Sequence, residues 1–259
     1  MPVHRQALIR LLLFLQPSNV LMIDSNDIQV CKSCGFSGVE NYCNRCGQPF
    51  KTKRISLSGL LHDVFHHFTH LDKGFGYTLR KLIIAPGYMQ RAYIEGERAK
   101  HQKPFSMFFI CATVAALSRY WIFTALLKYY HAGNISEANF FHEYMVILHV
   151  VMMPLYAFIT YLFFYKSRYN YAEIGVLILY TTSIFFLAAT IIALFKFLWP
   201  RLDTAYIELP ILIIYNVITF INFFDKLPRW SVVLRSIIII IILFFLIQIA
   251  EDFIVQIIS

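Results

Sequence analysis

From residue 104 onward the chain carries five apolar stretches, roughly 104–127, 140–165, 172–199, 206–224 and 230–254. Each is near or above the ~20 residues that a helix needs to cross the hydrocarbon of a bilayer. Inside hydrocarbon the backbone must satisfy its own N–H and C=O groups, which a helix does alone. The predicted fold is therefore an all-α integral membrane protein with about five transmembrane helices. Composition agrees, because a chain that is 58% hydrophobic, with 25 Phe and 16 Tyr, is more apolar than a soluble domain of this length. Pro154 and Pro210 fall inside the second and fourth stretches and are expected to kink them, with neighbouring helices repairing the backbone.

The formal charge of +8 raises the question of nucleic acid, but its distribution answers it. Most Lys and Arg precede Pro104, and the remainder sit mainly at the ends of apolar runs, which is membrane patterning. No nucleic acid partner is expected. Lys166 and Arg168 mark the second loop within the membrane region, and Lys226 and Arg229 the fourth. The loops between them hold Glu137 and Asp203 with fewer basic residues, and the C-terminal end carries Glu251 and Asp252. The positive-inside rule then puts the N-terminus in the cytoplasm and the C-terminus outside.

Ahead of this body, residues 31–48 read C-K-S-C-G-F-S-G-V-E-N-Y-C-N-R-C-G-Q. Cys31 with Cys34, and Cys43 with Cys46, form two C-x-x-C pairs, each followed by a glycine, Gly35 or Gly47. Each pair can set two thiolates on one side of a metal, and two pairs complete the S4 shell of structural zinc. The glycines suit a turn that needs positive φ. The loop between the pairs is too short for a core, so metal coordination must supply the folding energy, about 10–16 kcal/mol in small zinc peptides. Disulfides fit poorly with a basic chain that has no convincing export signal, and a thioredoxin-type motif would need a βαβ unit that is not visible. Iron accepts the same four sulfurs and stays open. The expectation is one structural zinc in a ribbon covering 25–50. Cys111 lies in an apolar stretch and is read as packing.

Residues 1–24 form a peripheral segment. Its apolar run, 8–15, lies beside Arg5 and Arg10 and resembles a truncated signal peptide, too short to span a bilayer. Met22 is an alternative start ahead of a polar lead-in. Residues 51–103 form a basic juxtamembrane region that opens with Lys51, Lys53 and Arg54 as a basic hinge. The spacing of Leu57, Leu60, Leu61, Val64, Phe65, Phe68 and Leu71 predicts an amphipathic helix over 56–72. Opposite that face stand His62, His66 and His70, one turn apart, either a solvated polar surface or a second metal site. Farther on, Gly74-x-Gly76 lacks the G-K-[ST] of a phosphate loop. Arg80, Lys81, Arg91, Arg98, Lys100 and Lys103 then offer contacts to anionic lipid or a protein partner.

The segment containing Cys31, Cys34, Cys43, Cys46-Gly47-Gln48, Thr78-Leu79, Pro86-Gly87, Tyr93-Ile94, Gly96, Arg98 and Pro104 resembles an uncharacterised family of bacterial membrane proteins, found notably in Bacteroidetes. That family joins a C-x-x-C-G…Y-C-x-x-C-G-Q zinc ribbon to a P-G-x5-Y-I-x-G-x-R motif and then to several membrane helices. The similarity runs from about residue 31 to 109, and His101 stands where a tyrosine is expected. The resemblance implies an architecture and a bacterial inner membrane, but no activity, since the family is a domain of unknown function.

Within the first span, Arg119 would cost about 2.5–3.5 kcal/mol to insert unpaired. The topology brings Glu143, Glu208 and Glu251 to the same leaflet, and Glu143 or Glu208 is the expected partner. His149, Asn216 and Asn222 add polar groups within the spans. No G-x-S-x-G, H-E-x-x-H or paired-carboxylate motif is present. The leading functional expectation is a membrane-anchored zinc-ribbon interaction or scaffold protein. Its cytoplasmic head would dock a protein partner or anionic lipid, with oligomers open. The alternative is a small transporter or membrane enzyme using Arg119 with Glu143 or Glu208, or the His62, His66 and His70 face.

Overall fold

The computed structural model describes residues 28–60, 74–130, 140, 143–200 and 202–258. It divides into two compact units, Met1–Lys51 and Thr52–Ser259.

In the first unit, β1 (Gln29–Val30) pairs antiparallel with β2 (Ser37–Gly38), Gln29 opposite Gly38 and Val30 opposite Ser37. The first C-x-x-C lies between these strands. The second lies between Tyr42 and Pro49, which form an isolated bridge. So small a unit has little apolar material, and its buried cluster is Phe50 with Cys31 and Cys43, flanked by Cys34 and Cys46. Gly38 leaves room for that ring, since a Cβ there would come within 3.0 Å of Phe50.

The second unit is helical among its described residues. Two short helices, α1 (Phe75–Ile84) and α2 (Tyr88–Glu95), precede α3 (Pro104–Tyr130), α4 (Met145–Phe163) and α5 (Tyr171–Ala193). A 3-10 turn, Leu194–Phe197, extends α5, and α6 (Ala205–Phe223) and α7 (Arg229–Ile258) complete the order. Helices α3 to α7 are each long and apolar enough to cross a membrane, so the chain is an all-α membrane protein. Helix α4 opens at Met145, with Phe140 helical ahead of it, and α7 continues through Glu251 and Asp252 to Ile258.

Helix α5 is the centre. It packs against α3, α4 and α6, and also against α1 and α2. Of its apolar window 61% is buried, against 39% at most for the other spans. Opposite it, α3 buries Cys111, Ala112, Ala115 and Ala116, small side chains that let helix backbones approach closely. Cys111 is a free thiol in this core. Pro154 and Pro210 lie inside α4 and α6.

The α1–α2 hairpin lies at one end of the bundle. Its turn is Pro86-Gly87, with Gly87 at φ 83°, where a glycine is strongly favoured. A Cβ at Gly87 would strike the Thr219 carbonyl oxygen and lie 2.6 Å from the Asn222 Cβ, so the turn sits directly on α6. Asn222 Nδ2 donates to the Pro86 carbonyl at 2.9 Å, and the Tyr215 hydroxyl donates to the Leu82 carbonyl at 3.1 Å. After α2 the chain returns over Gly74, where a Cβ would lie 2.7 Å from the Lys100 carbonyl oxygen. The glycine pair at 74 and 76 is thus partly a crossing point. The Gln102 N–H donates to Thr78 Oγ1 at 2.8 Å, and the Tyr180 hydroxyl donates to the Gln102 carbonyl at 2.5 Å, fixing this return to α5.

The same end gathers the loops after α4 and α6. Phe164 stacks on Phe224 at 4.0 Å, with Tyr169 against Phe223 at 4.3 Å. Arg168 pairs with Glu95 at 2.6 Å, and Arg91 with Asp225 at 2.5 Å. The juxtamembrane region and both basic loops therefore meet at one end of the membrane body.

Candidate functional site

Three constellations carry chemistry. In the first unit, the four sulfurs of Cys31, Cys34, Cys43 and Cys46 lie within 4.8 Å of one another. Cys31 Sγ is 3.5 Å from Cys46 Sγ, and Cys34 Sγ is 3.4 Å from Cys43 Sγ. A disulfide would require about 2.05 Å, so these are four thiols. A tetrahedron with metal–sulfur bonds of 2.3 Å has edges of about 3.8 Å, which the observed spacings bracket. The two halves repeat the same turn. The Cys31 and Cys43 N–H groups donate to the Phe36 and Gln48 carbonyls, and Gly35 and Gly47 donate back to Cys31 and Cys43. Both glycines sit at positive φ, 72° and 73°. Burial pushes the Cys31 thiol up, but backbone hydrogen bonds from Cys34 and Ser33 outweigh it and bring it down to about 7. Burial pushes Cys46 up to about 12. The cluster can hold a metal ion.

The second constellation lies within the helices. Arg119 Nη2 donates to Glu208 Oε1 at 2.7 Å, with both side chains largely buried. Arg119 is fifteen residues along α3, roughly 22 Å from its start. Glu208 is in the first turn of α6, so the pair lies at the far end of the bundle from the α1–α2 hairpin. It borders a cavity of about 150 Å³ that Lys196, Asp203, Glu251 and Asp252 also line. Glu143 is exposed and the structure draws Arg119 to Glu208. Deeper in the bundle, His149 and Asn216 border a smaller cavity of about 70 Å³. His149 Nδ1 bonds the Met145 carbonyl at 2.9 Å and its ring packs on Phe186 at 4.8 Å. Asn216 donates to the Leu212 carbonyl at 2.9 Å. Both are satisfied within their surroundings.

The third constellation is basic and lies beside the hairpin. Arg98 and Lys103 border a cavity of about 320 Å³ together with Lys53 and Arg54. Arg98 Nε donates to the Tyr93 carbonyl at 3.3 Å and Nη2 to the Lys53 carbonyl at 3.0 Å. The other basic candidates point elsewhere. Arg91 is taken by Asp225, Lys100 lies 3.7 Å from Glu97, Lys81 lies over the Tyr77 ring, and Arg80 is exposed. His62, His66 and His70 lie outside the described residues.

Arg54 has a specific partner that the basic-hinge reading overlooks. Its guanidinium donates to both carboxylate oxygens of buried Glu173, each at 2.8 Å, and to the Arg168 carbonyl at 2.7 Å. Glu173 also caps α5, accepting from the Asn170 N–H at 2.9 Å while Asn170 Oδ1 accepts from the Glu173 N–H at 2.9 Å. The Asn170-x-x-Glu173 capping signature is visible in the sequence and marks the start of α5, though not the contact with Arg54. His101 is another buried group here. Burial, helped by Lys100 and Lys81, brings its imidazole down to about 4, so it is neutral at pH 7. It packs against Tyr77 and Tyr93, with Thr78 Oγ1 at 3.5 Å.

A model of a family described as "Protein of unknown function (DUF3667)" matches residues 72–116. No curated protein and no solved structure matches the chain. The matched stretch covers α1, the Pro86-Gly87 turn, α2, the return past Gly74 and the first half of α3. The similarity to that family thus falls on the hairpin that caps the bundle, the same stretch that contributes Arg98 and Lys103 to the basic cavity.

Proposed function

We propose that this chain is a multi-pass protein of the bacterial inner membrane, with a cytoplasmic zinc ribbon that docks a protein partner. The observation that carries the reading is the closed S4 shell. Four sulfurs within 4.8 Å of one another could fill all four positions of a tetrahedral ion, and a metal so held would organise a surface. Phe36, Val39 and Tyr42 are exposed on that small unit, the kind of apolar surface a partner covers. The gathering of basic loops at one bundle end supports the cytoplasmic placement of that end. Zinc is favoured over iron by the closed, structural character of the shell.

Elemental analysis of detergent-purified protein tests the metal. One zinc per chain is expected, lost when Cys31 and Cys34 are changed to serine, while the thermal transition of the helical unit stays unchanged. A photo-crosslinker at Tyr42 in cells should give a discrete protein adduct that disappears in the same cysteine variant. No zinc, or an adduct indifferent to the cysteines, would sink the reading.

The Arg119–Glu208 cavity favours a second reading, transport or membrane chemistry at the opposite end of the bundle. Arg119→Gln separates the two. Loss of protein from the membrane marks a structural clamp, whereas normal abundance without function marks a site.

A further inference from the structure

Four helices of the bundle form a ring. Helix α4 packs on α5, α5 on α6, α6 on α7, and α7 returns to α4. A ring of helices can enclose a lumen, and the cavity of about 70 Å³ bordered by His149 and Asn216 is lined by all four. Tyr156 and Asn216 lie eleven residues into α4 and α6, roughly 16 Å from the end opposite the hairpin, about half of a ~30 Å hydrocarbon layer. Two hydroxyls line this cavity without a hydrogen-bond partner among the described residues. Tyr156 is one, although it is only 6% exposed. Thr182 is the other: Thr181, Ser183 and Thr190 turn their hydroxyls back to their own helix, and Thr182 does not. A buried hydroxyl without a partner is costly unless water supplies one, and the cavity has room for a few waters.

The way in runs along α6 and α7. Glu208, Leu212, Asn216 and Phe220 step by four residues along α6, and on α7 Gln248 and Glu251 continue the line of Phe244 and Ile247. Glu208, Gln248 and Glu251 line the far-end cavity of about 150 Å³, whereas Leu212, Asn216, Phe244 and Ile247 line the inner one. The two cavities therefore follow each other along one seam, and the charge of Glu251 reaches the Tyr156 hydroxyl. Toward the hairpin the seam closes, because Phe220 packs ring on ring with Phe164 and Phe224, all three buried.

We propose that this lumen is a hydrated half-channel, open at the end opposite the hairpin, that carries protons past Glu208 and Glu251 to Tyr156 at mid-depth. Arg119, Lys196, Asp203 and Asp252 are the other charged groups that line its entry. The inner cavity is too small for an organic substrate. No carboxylate is among its described lining residues to replace the hydration shell of a metal cation. A short file of waters between the entry carboxylates and the Tyr156 hydroxyl, beside the His149 imidazole, suits a proton. Such a file passes the largely buried Arg119–Glu208 pair without screening it as bulk solvent would. The inference rests on the reading of the Arg119–Glu208 cavity as a transport site and names the proton as what enters it.

Hydroxyl-radical footprinting of the full chain in lipid nanodiscs, read by mass spectrometry, tests for the water. Tyr156 should be oxidised about fivefold or more faster than Tyr180, a buried tyrosine whose hydroxyl is taken by the Gln102 carbonyl. Leu212→Trp fills the seam between the two cavities and should bring the Tyr156 rate down toward that of Tyr180. Protons are tested with Asn216→Asp, which puts a carboxyl at the inner end. Its infrared band, read as the difference from the parent, should titrate with bath pH and shift in heavy water. Tyr156 oxidised no faster than Tyr180, or a carboxyl band indifferent to the bath, would overturn the half-channel. Arg119→Gln separates it from the reading beneath it. A dry Tyr156 with Arg119→Gln at normal abundance retires the half-channel alone, whereas loss of the Arg119→Gln chain from the membrane retires the transport site and the proton route with it.

Discussion

The two ends of the membrane body are held by different physics. At the hairpin end, the ion pairs Arg168–Glu95 and Arg91–Asp225 each have at least one side chain about half exposed. There the tightest restraints are backbone carbonyls accepting from Asn222, Tyr215 and Tyr180, together with the close fit of Gly87 on α6. At the opposite end the Arg119–Glu208 ion pair sits with side chains 12% and 6% exposed between α3 and α6. Bulk water screens the first group and hardly reaches the second. The charges of Arg168–Glu95 and Arg91–Asp225 are therefore cheap to alter and those of Arg119–Glu208 costly, with Glu173, 4% exposed beneath Arg54, the buried exception at the hairpin end.

The sharpest way to break this contrast is Glu208→Ala. It takes the Glu208 carboxylate away from Arg119, and breaking a buried pair from one side costs about 3–5 kcal/mol. Membrane abundance and the thermal transition in detergent should both fall steeply. Arg119→Met combined with Glu208→Leu should recover most of the loss, because neither member of the pair is then left without the other. A single variant as stable as the parent would show that the cavity lined by Lys196 and Glu251 is wet enough to solvate the arginine.

Gly87→Ala comes next. The new methyl has to enter the space of the Thr219 carbonyl and Asn222, at a φ that L side chains rarely adopt, and should cost about 1–3 kcal/mol. Gly76→Ala is the internal control. It lies in α1 with nothing within 4 Å of the added carbon, and should be neutral or stabilise by about 0.5–1 kcal/mol. Equal losses in the two variants would mean that the hairpin does not depend on close contact with α6.

How far this could be read from the sequence follows the range of each interaction. The five helices were legible because a bilayer demands length and apolarity, both local properties. The metal-capable cluster was legible because its ligands come as spaced pairs on short turns. Arg119 announced that it needs a partner, but whether Glu143 or Glu208 supplies it depends on how α3 and α6 are rotated, which no local pattern records. Arg54 and Glu173 are 119 residues apart, and only the capping half of that arrangement, Asn170-x-x-Glu173, leaves a sequence trace. Gly87 could be read as a turn residue, while its contact with α6 could not. The family-like motif therefore reads as a set of joints: Thr78 takes the return segment, Pro86-Gly87 meets α6, and Tyr93 braces Arg98.

His101 sharpens the comparison through pH. Its imidazole is brought down to about 4, from an ordinary value near 6.5, by burial and by Lys100 and Lys81. The unfolded chain binds this proton more readily than the folded one, so the contribution to stability is whole above about pH 6.5 and is lost as pH falls towards 4. The thermal transition should decline across that window, and His101→Tyr should remove part of the decline. An identical pH profile in the variant would place the sensitivity in other groups.

The smallest expected effect is Glu95→Gln. The Glu95 carboxylate is 51% exposed and its partner Arg168 is 42% exposed, so solvent screens the pair and two long side chains lose freedom to make it. The loss should stay below about 1 kcal/mol, and the difference from the parent should shrink further at high salt. Arg168 keeps its bond to the Tyr169 hydroxyl at 2.9 Å, and the loop keeps the Phe164–Phe224 stack. If Glu95→Gln instead approached the cost of Glu208→Ala, the ion pairs of the hairpin end would be structural clamps in their own right. The separation between a screened basic end and a buried charged end would then fail. A near-silent variant leaves the hairpin held by its carbonyl acceptors and by the fit of Gly87 on α6.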